Sequence, residues 1–278
     1  MVINIRKSEK KLFFVLLFVV FLIASFFVFR HFVSKYKKKP EVNSVRITFP
    51  EGLNIHEVAN LLQQNGVVKK NDFFEACDSL ELKKEFSFLN NESEDKYFSL
   101  EGYLFPDTYD FLKDEPPLAV LRKFLVNFDL KTKNLKIPKG YSLEQILIIA
   151  SMLESESPLE DGAEISSVIH NRLGTLKSGG KSKFGEYGLD FLQMDSTMYY
   201  PYRSKEEIPA NFKSIYNTYE IKGYPPGPVC SPGLKFIIDA INPKNTDYFY
   251  FCNDNNGRTY FAKTYSEHCQ NLKLAGLR

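Results

Sequence analysis

Residues 142–157, SLEQILIIASMLESES, decide how the rest of the chain is read. Ser142 and Gln145 stand three positions apart, as in a capping box, and the apolar residues behind them recur at helical spacing. A helix is therefore predicted. At about 100° per residue, Leu143, Ile146, Leu147, Ala150 and Leu153 fall on one side, with Glu154 inside that stripe. Glu156 points about 160° away, beside Gln145, Ile149 and Met152. A carboxyl among apolar side chains loses hydration of its charged form, so its pKa rises and it can hold a proton near neutral pH. A general acid requires that state. A buried acid tied to an Arg or Lys for structural reasons gives the same pattern, so the rest of the chain must decide between them.

Toward the N-terminus, residues 12–29 form an unbroken run of eighteen, weakly polar only at Ser25. That length suffices to cross a bilayer core. The run ends in Phe26-Phe-Val-Phe29-Arg30 and not at a small-residue cleavage site, so an uncleaved anchor is expected. Arg6, Lys7, Lys10 and Lys11 precede it, and Arg30, Lys35, Lys37, Lys38 and Lys39 follow it. Positive charge therefore does not orient the segment; the N-terminus is expected inside and the large remainder outside the cytoplasm. Residues 41–278 hold 27 basic and 33 acidic side chains, a net of −6, although the whole chain carries +2. An acidic outer part argues against nucleic acid as a partner.

Beyond the anchor, Val45-Arg-Ile-Thr-Phe49 alternates as a strand and Pro50-Glu51-Gly52 turns the chain. Asn54 with Glu57 caps a helix carrying Ile55, Val58, Ala59 and Leu62 on one face, stopped by Gly66, and a second helix follows Asn71. The polar stretch 90–95, NNESED, marks a boundary. After it, residues 99–111, SLEGYLFPDTYDF, read as strand and tight turn, and Pro116-Pro117 start a helix reaching about Phe128. Lys139-Gly140 then punctuates before the 142–157 helix. The fold class predicted is α+β. Cys77, Cys230, Cys252 and Cys269 would be free to pair in an oxidising compartment, in any of three complete pairings. No CxxC occurs, and Cys252 with His268-Cys269 lacks the spacing of a metal site, so neither metal nor cofactor is expected.

The motifs downstream of Glu154 come in a fixed order: a helical segment ending in Val168-Ile-His-Asn-Arg-Leu173, then Leu192-Gln-Met-Asp-Ser-Thr197, Tyr216-Asn-Thr-Tyr219, Gly223-Tyr-Pro-Pro-Gly-Pro228 and Ser231-Pro-Gly233. Together with LEGYLFPDTY upstream, they resemble the MltG/YceG-like endolytic murein transglycosylases over nearly the whole chain. The 173–192 gap is longer than in that family, and Ser196 stands where the family often has Pro. The resemblance implies a cytoplasmic tail (1–11), a single transmembrane anchor (12–30), a linker (31–43), a LysM-like α+β module (44–95) and a YceG-like catalytic domain (96–278). It also implies cleavage of the MurNAc–GlcNAc β-1,4 bond in nascent peptidoglycan, with the muramic acid 6-hydroxyl closing a 1,6-anhydro ring. Glu154 would be the catalytic acid and then the base, a role for which one carboxyl suffices.

Gln193, Asp195 and Asn217 offer hydrogen-bonding groups to sugars, with Thr218 in the same motif, and Tyr216, Tyr219 and Tyr224 offer ring faces. With no Trp in the chain, sugar stacking falls to Tyr or Phe. Turn formation and core packing are equally open readings for each, and 248–251, YFYF, reads as a buried strand. The implied partners are glycan strands, the cytoplasmic membrane and peptidoglycan synthesis enzymes. Two other functions stay open: a hydrolytic muramidase using Glu154 with Asp195, and a membrane-tethered glycan-binding scaffold. The Gly-, Ser- and Lys-rich stretch 174–188 is expected to be a mobile surface loop.

Overall fold

A computed structural model of the 278-residue chain describes residues 15–31, 43–91, 95–156, 160–177, 191–203 and 205–278. The chain divides into two compact units, Met1–Ser44 and Val45–Arg278. In the first, residues 15–31 form helix α1, whose large apolar side chains from Val15 to Phe29 are exposed all round. Residues 12–14 of the apolar run lie outside the described residues. Among the described residues no helix is long and apolar enough to cross a membrane.

The larger unit is mixed α and β, as predicted. Strand β1 (Ser44–Thr48) leads into α2 (Ile55–Gln64), α3 (Lys70–Cys77) and α4 (Leu80–Glu85). The Asn54–Glu57 capping box forms as expected: Glu57 N donates to Asn54 Oδ1 at 3.0 Å and Asn54 N to Glu57 Oε2 at 2.8 Å. Such reciprocal bonds satisfy two donors that a helix start would otherwise leave unpaired. Ile55, Val58, Ala59 and Leu62 are the buried face. Strand β2 (Thr108–Leu112) then pairs with β1. Arg46 meets Asp110 and Thr48 meets Thr108, so the two strands run antiparallel.

This pairing joins segments on either side of residue 95. One continuous core runs from Ile47, Phe49 and Phe73 through Phe111 and Phe124 to Ile146–Leu153 and Phe236. The core and the β1–β2 pairing thus extend across the border drawn at 95 from composition. Residues 92–94 within it lie outside the described residues.

Helix α5 (Pro117–Thr132) starts on the Pro pair and covers the sheet through Phe124, whose ring lies 5.0 Å from that of Phe49. Helix α6 (Leu143–Glu156) is the predicted central helix and packs against α7 (Gly162–Lys177) and α8 (Leu234–Ile241). Strands β3 (Tyr250–Asn253) and β4 (Thr259–Ala262) form an antiparallel hairpin with Tyr250 opposite Ala262, and α9 (Tyr265–Leu274) packs on it. The strand expected at 248–251 thus begins two residues later. Most of the stretch 174–188 lies outside the described residues, which stop at 177 and resume at 191. All four cysteines are unpaired thiols, three of them buried, so none of the pairings open to the sequence is made.

Candidate active site

Helix α6 starts where the sequence places it. Gln145 N donates to Ser142 Oγ at 3.1 Å, and Ser142 N donates to Gln145 Oε1 at 2.9 Å. From Ile146 to Leu153, however, every residue is buried. A helix enclosed on all sides has no single apolar stripe, so the helical wheel does not rank its two acids. Their surroundings do.

Glu154 Oε2 accepts a 2.9 Å bond from Gly233 N. The β1–α2 turn closes over this carboxyl: a Cβ on Gly52 would lie 3.4 Å from Glu154 Cγ. Gly52 N donates to Ser231 O at 3.0 Å and Ser231 N to Leu53 O at 2.8 Å, which holds the turn against the Ser231-Pro-Gly233 stretch. The Glu51 carboxyl rests against Gly233, where a Cβ would come within 2.1 Å of it, so a larger residue there would have to displace the Glu51 side chain. Burial raises the pKa of Glu154, the Gly233 bond opposes that rise, and the neighbouring Glu51 charge adds to it.

Glu156, one turn-end further, faces different company. Its Oε1 accepts a 2.7 Å bond from Ser196 N, and its backbone carbonyl accepts one of 2.8 Å from Asn253. Burial raises its pKa against the Ser196 bond; Asp195 pushes it further up and Arg172 pulls it down. Together with Arg172, Gln193, Asp195, Tyr219 and Tyr250, it lines a cavity of about 510 Å³. Arg172 comes from α7 and is buried; its guanidinium donates to the carbonyls of Phe249 and Leu192, and burial brings its pKa down to about 10, so it stays cationic at neutral pH. Tyr219 donates to Asp195 Oδ1 at 2.5 Å. Gln193 sits in the left-handed region at φ 54°, a conformation that costs a non-glycine residue about 1 kcal/mol or more and that clusters at functional sites.

Three of the six residues expected to hold substrate, Gln193, Asp195 and Tyr219, thus line one cavity with Glu156, and Glu154 lies outside that lining. The other three lie outside that lining. Tyr216 is fully buried, its ring 5.1 Å from that of Tyr97 and 4.5 Å from that of Tyr200. Thr218 is buried and accepts from Met194 N at 2.9 Å. Asn217 Oδ1 accepts from Tyr219 N at 3.1 Å, closing a turn that aims the Tyr219 side chain. Tyr224, another ring named from sequence, packs against the core. Among the described residues no group of three or more His, Cys, Asp or Glu side chains is placed to hold a metal.

Sequence reasoning passed over Arg172, Tyr250 and Glu156. Arg172 stood in the quoted Asn-Arg-Leu motif without a role, and Glu156 was set aside by a wheel that assumed one exposed face.

The order of motifs that builds this cavity also matches the YceG-like family over residues 24–274. The chain belongs to that family. It is 31% identical over 239 residues to a Bacillus subtilis protein named endolytic murein transglycosylase, an alignment covering 80% of this chain and 63% of that protein. A Streptococcus pneumoniae protein of the same name is 27% identical over 256 residues, covering 81% of this chain and 44% of the relative. A 2.6 Å crystal structure of a YceG-like protein from Listeria monocytogenes superimposes with a TM-score of 0.66 at 26% identity, over 81% of this chain and 75% of that one. This YceG-like chain therefore spans 63% and 44% of the lengths of the two curated relatives.

Proposed function

We propose that this protein is a membrane-anchored endolytic lytic transglycosylase, which cleaves the MurNAc–GlcNAc β-1,4 bond within peptidoglycan strands and leaves 1,6-anhydro-MurNAc ends. The observation that carries this reading is the grouping of Arg172, Gln193, Asp195 and Tyr219 with the mostly buried Glu156 carboxyl around one cavity. The names of the two relatives support it. The same grouping favours Glu156 over Glu154 as the acid, the reverse of the expectation drawn from both the helical wheel and the family resemblance.

In this mechanism the protonated Glu156 gives its proton to the glycosidic oxygen as the bond to the anomeric carbon breaks. The resulting carboxylate takes the proton of the muramic acid 6-hydroxyl, whose oxygen closes on the same carbon. The proton count balances, no water is consumed, and Glu156 ends as it began. Burial raises the pKa of Glu156, the direction that favours the acid form the first step needs. Arg172, through its charge, stabilises the carboxylate that forms midway. Asp195, held by Tyr219, and Gln193 would bind sugar hydroxyls.

Mass analysis of a murein digest tests this reading. Glu156→Gln should stay folded and release anhydro ends about 10²–10⁴-fold more slowly, while Glu154→Gln should lose far less. The opposite ranking would return the role to Glu154. Reducing ends, one water heavier, would instead indicate a hydrolase with Asp195 as its second carboxylate, and release of nothing would indicate a scaffold.

The apolar run 12–29 supports a single-pass anchor in the cytoplasmic membrane, with the domain outside, where glycan strands and the enzymes that synthesise them are found. Residues 44–95 would help hold the strand as a LysM-like portion. Protease added to intact spheroplasts should degrade the large unit; full protection until lysis would reverse this topology.

A further inference from the structure

The wall of the cavity formed by β3 and α9 has no part in the chemistry above, yet it carries an unmet polar group. The Thr264–Glu267 capping box fixes where α9 begins, and Tyr265, His268 and Leu272, at positions i, i+3 and i+7, share the face that lines the cavity. His268 Nδ1 is buried with no hydrogen-bond partner. A buried nitrogen left so costs about 1–3 kcal/mol, a cost that a ligand would offset. Its ring lies parallel to that of Tyr250, 5.2 Å away at 22°, and the Arg172 guanidinium is 5.9 Å from the same Tyr250 ring. One aromatic side chain thus separates His268 from the arginine that neighbours the acid. Burial, together with the charges of Arg172 and Arg278, lowers the pKa of His268. Leu272 and Leu277 bring apolar surface to the same wall.

We propose that α9 forms a sugar subsite in which His268 Nδ1 accepts a hydrogen bond from the acetamido N–H of an N-acetylated hexosamine, with Leu272 and Leu277 against its methyl group. This rests on the reading that the cavity takes glycan. A bare hydroxyl or amine would satisfy Nδ1 but leave the two leucines facing water; the acetamido group satisfies both. The exposed Tyr265 ring supplies a face for stacking that a chain without Trp must find elsewhere.

The test measures binding of the N-acetylglucosamine tetramer and of its de-N-acetylated counterpart to the full-length protein in detergent. The wild type should bind the acetylated tetramer more tightly, by about tenfold for one such hydrogen bond. His268→Phe keeps the ring and should lose this preference. His268→Asn, which offers an acceptor near Nδ1, should keep most of it. Leu272→Ser, at a part-exposed position, should weaken binding of the acetylated tetramer alone and repeats the test without touching the ring. An unchanged preference in folded His268→Phe and Leu272→Ser proteins that still release anhydro ends overturns the subsite only. No binding of either tetramer, with no anhydro ends released, overturns the glycan reading and the subsite with it.

Discussion

Glu101 is fully buried, and its Oε2 accepts from Ile55 N at 3.0 Å and from the Tyr200 hydroxyl at 2.7 Å. Burial outweighs both bonds and lifts its pKa from 4.5 to about 7. Between these values the folded chain keeps a proton that the unfolded chain releases. Its stabilising contribution is thus complete below pH 4.5 and is lost as pH rises toward about 7, an effect of about 3 kcal/mol. Glu101→Gln, which stays neutral, should flatten the fall in melting temperature across that window; a variant with the wild-type slope would dismiss Glu101 as its source. At this scale the sequence was informative about residue types and less so about neighbours. Glu101 stood in the quoted LEGY motif and Glu156 two places beyond the favoured acid, but burial and partners come from segments far along the chain. The 2.7 Å bond from Ser196 to Glu156 spans 40 positions, a separation that local periodicity cannot register.

The elements themselves were largely legible, because their signals are local. Both capping boxes, at Asn54 and Ser142, and the Pro start of α5 form where the residues indicate. What local signals could not reveal is how the motifs meet. Gly102, at φ 86°, lies so close to the Gly-Tyr-Pro-Pro-Gly-Pro stretch that a Cβ would come within 2.5 Å of Pro228 Cγ. Two motifs 126 positions apart thus touch at a point where only glycine fits. Gly102→Ala combines a strained φ with a clash and should cost about 2–3 kcal/mol, seen as a lower urea midpoint. A loss within a few tenths of a kcal/mol would mean that the two loops separate readily.

For the whole molecule, the β1–β2 pairing and the core shared across residue 95 predict that residues 45–278 melt in one cooperative step, and that residues 44–95 alone do not fold. Two resolved calorimetric transitions would restore the separate module suggested by composition. A polar stretch carries no record of which segments pack together, and cooperativity follows those contacts. The unpaired cysteines have a practical outcome of another kind. Cys77, Cys230 and Cys252 are buried, and burial raises their pKa values, so their thiolates are scarce. Cys269 alone of the four is half-exposed, and it follows His268 on α9. A maleimide dye should therefore attach there first, on native protein and without any engineered site. In a chain whose own emission comes from tyrosine alone, that single fluorophore would report directly when the cavity wall it rides on meets a sugar.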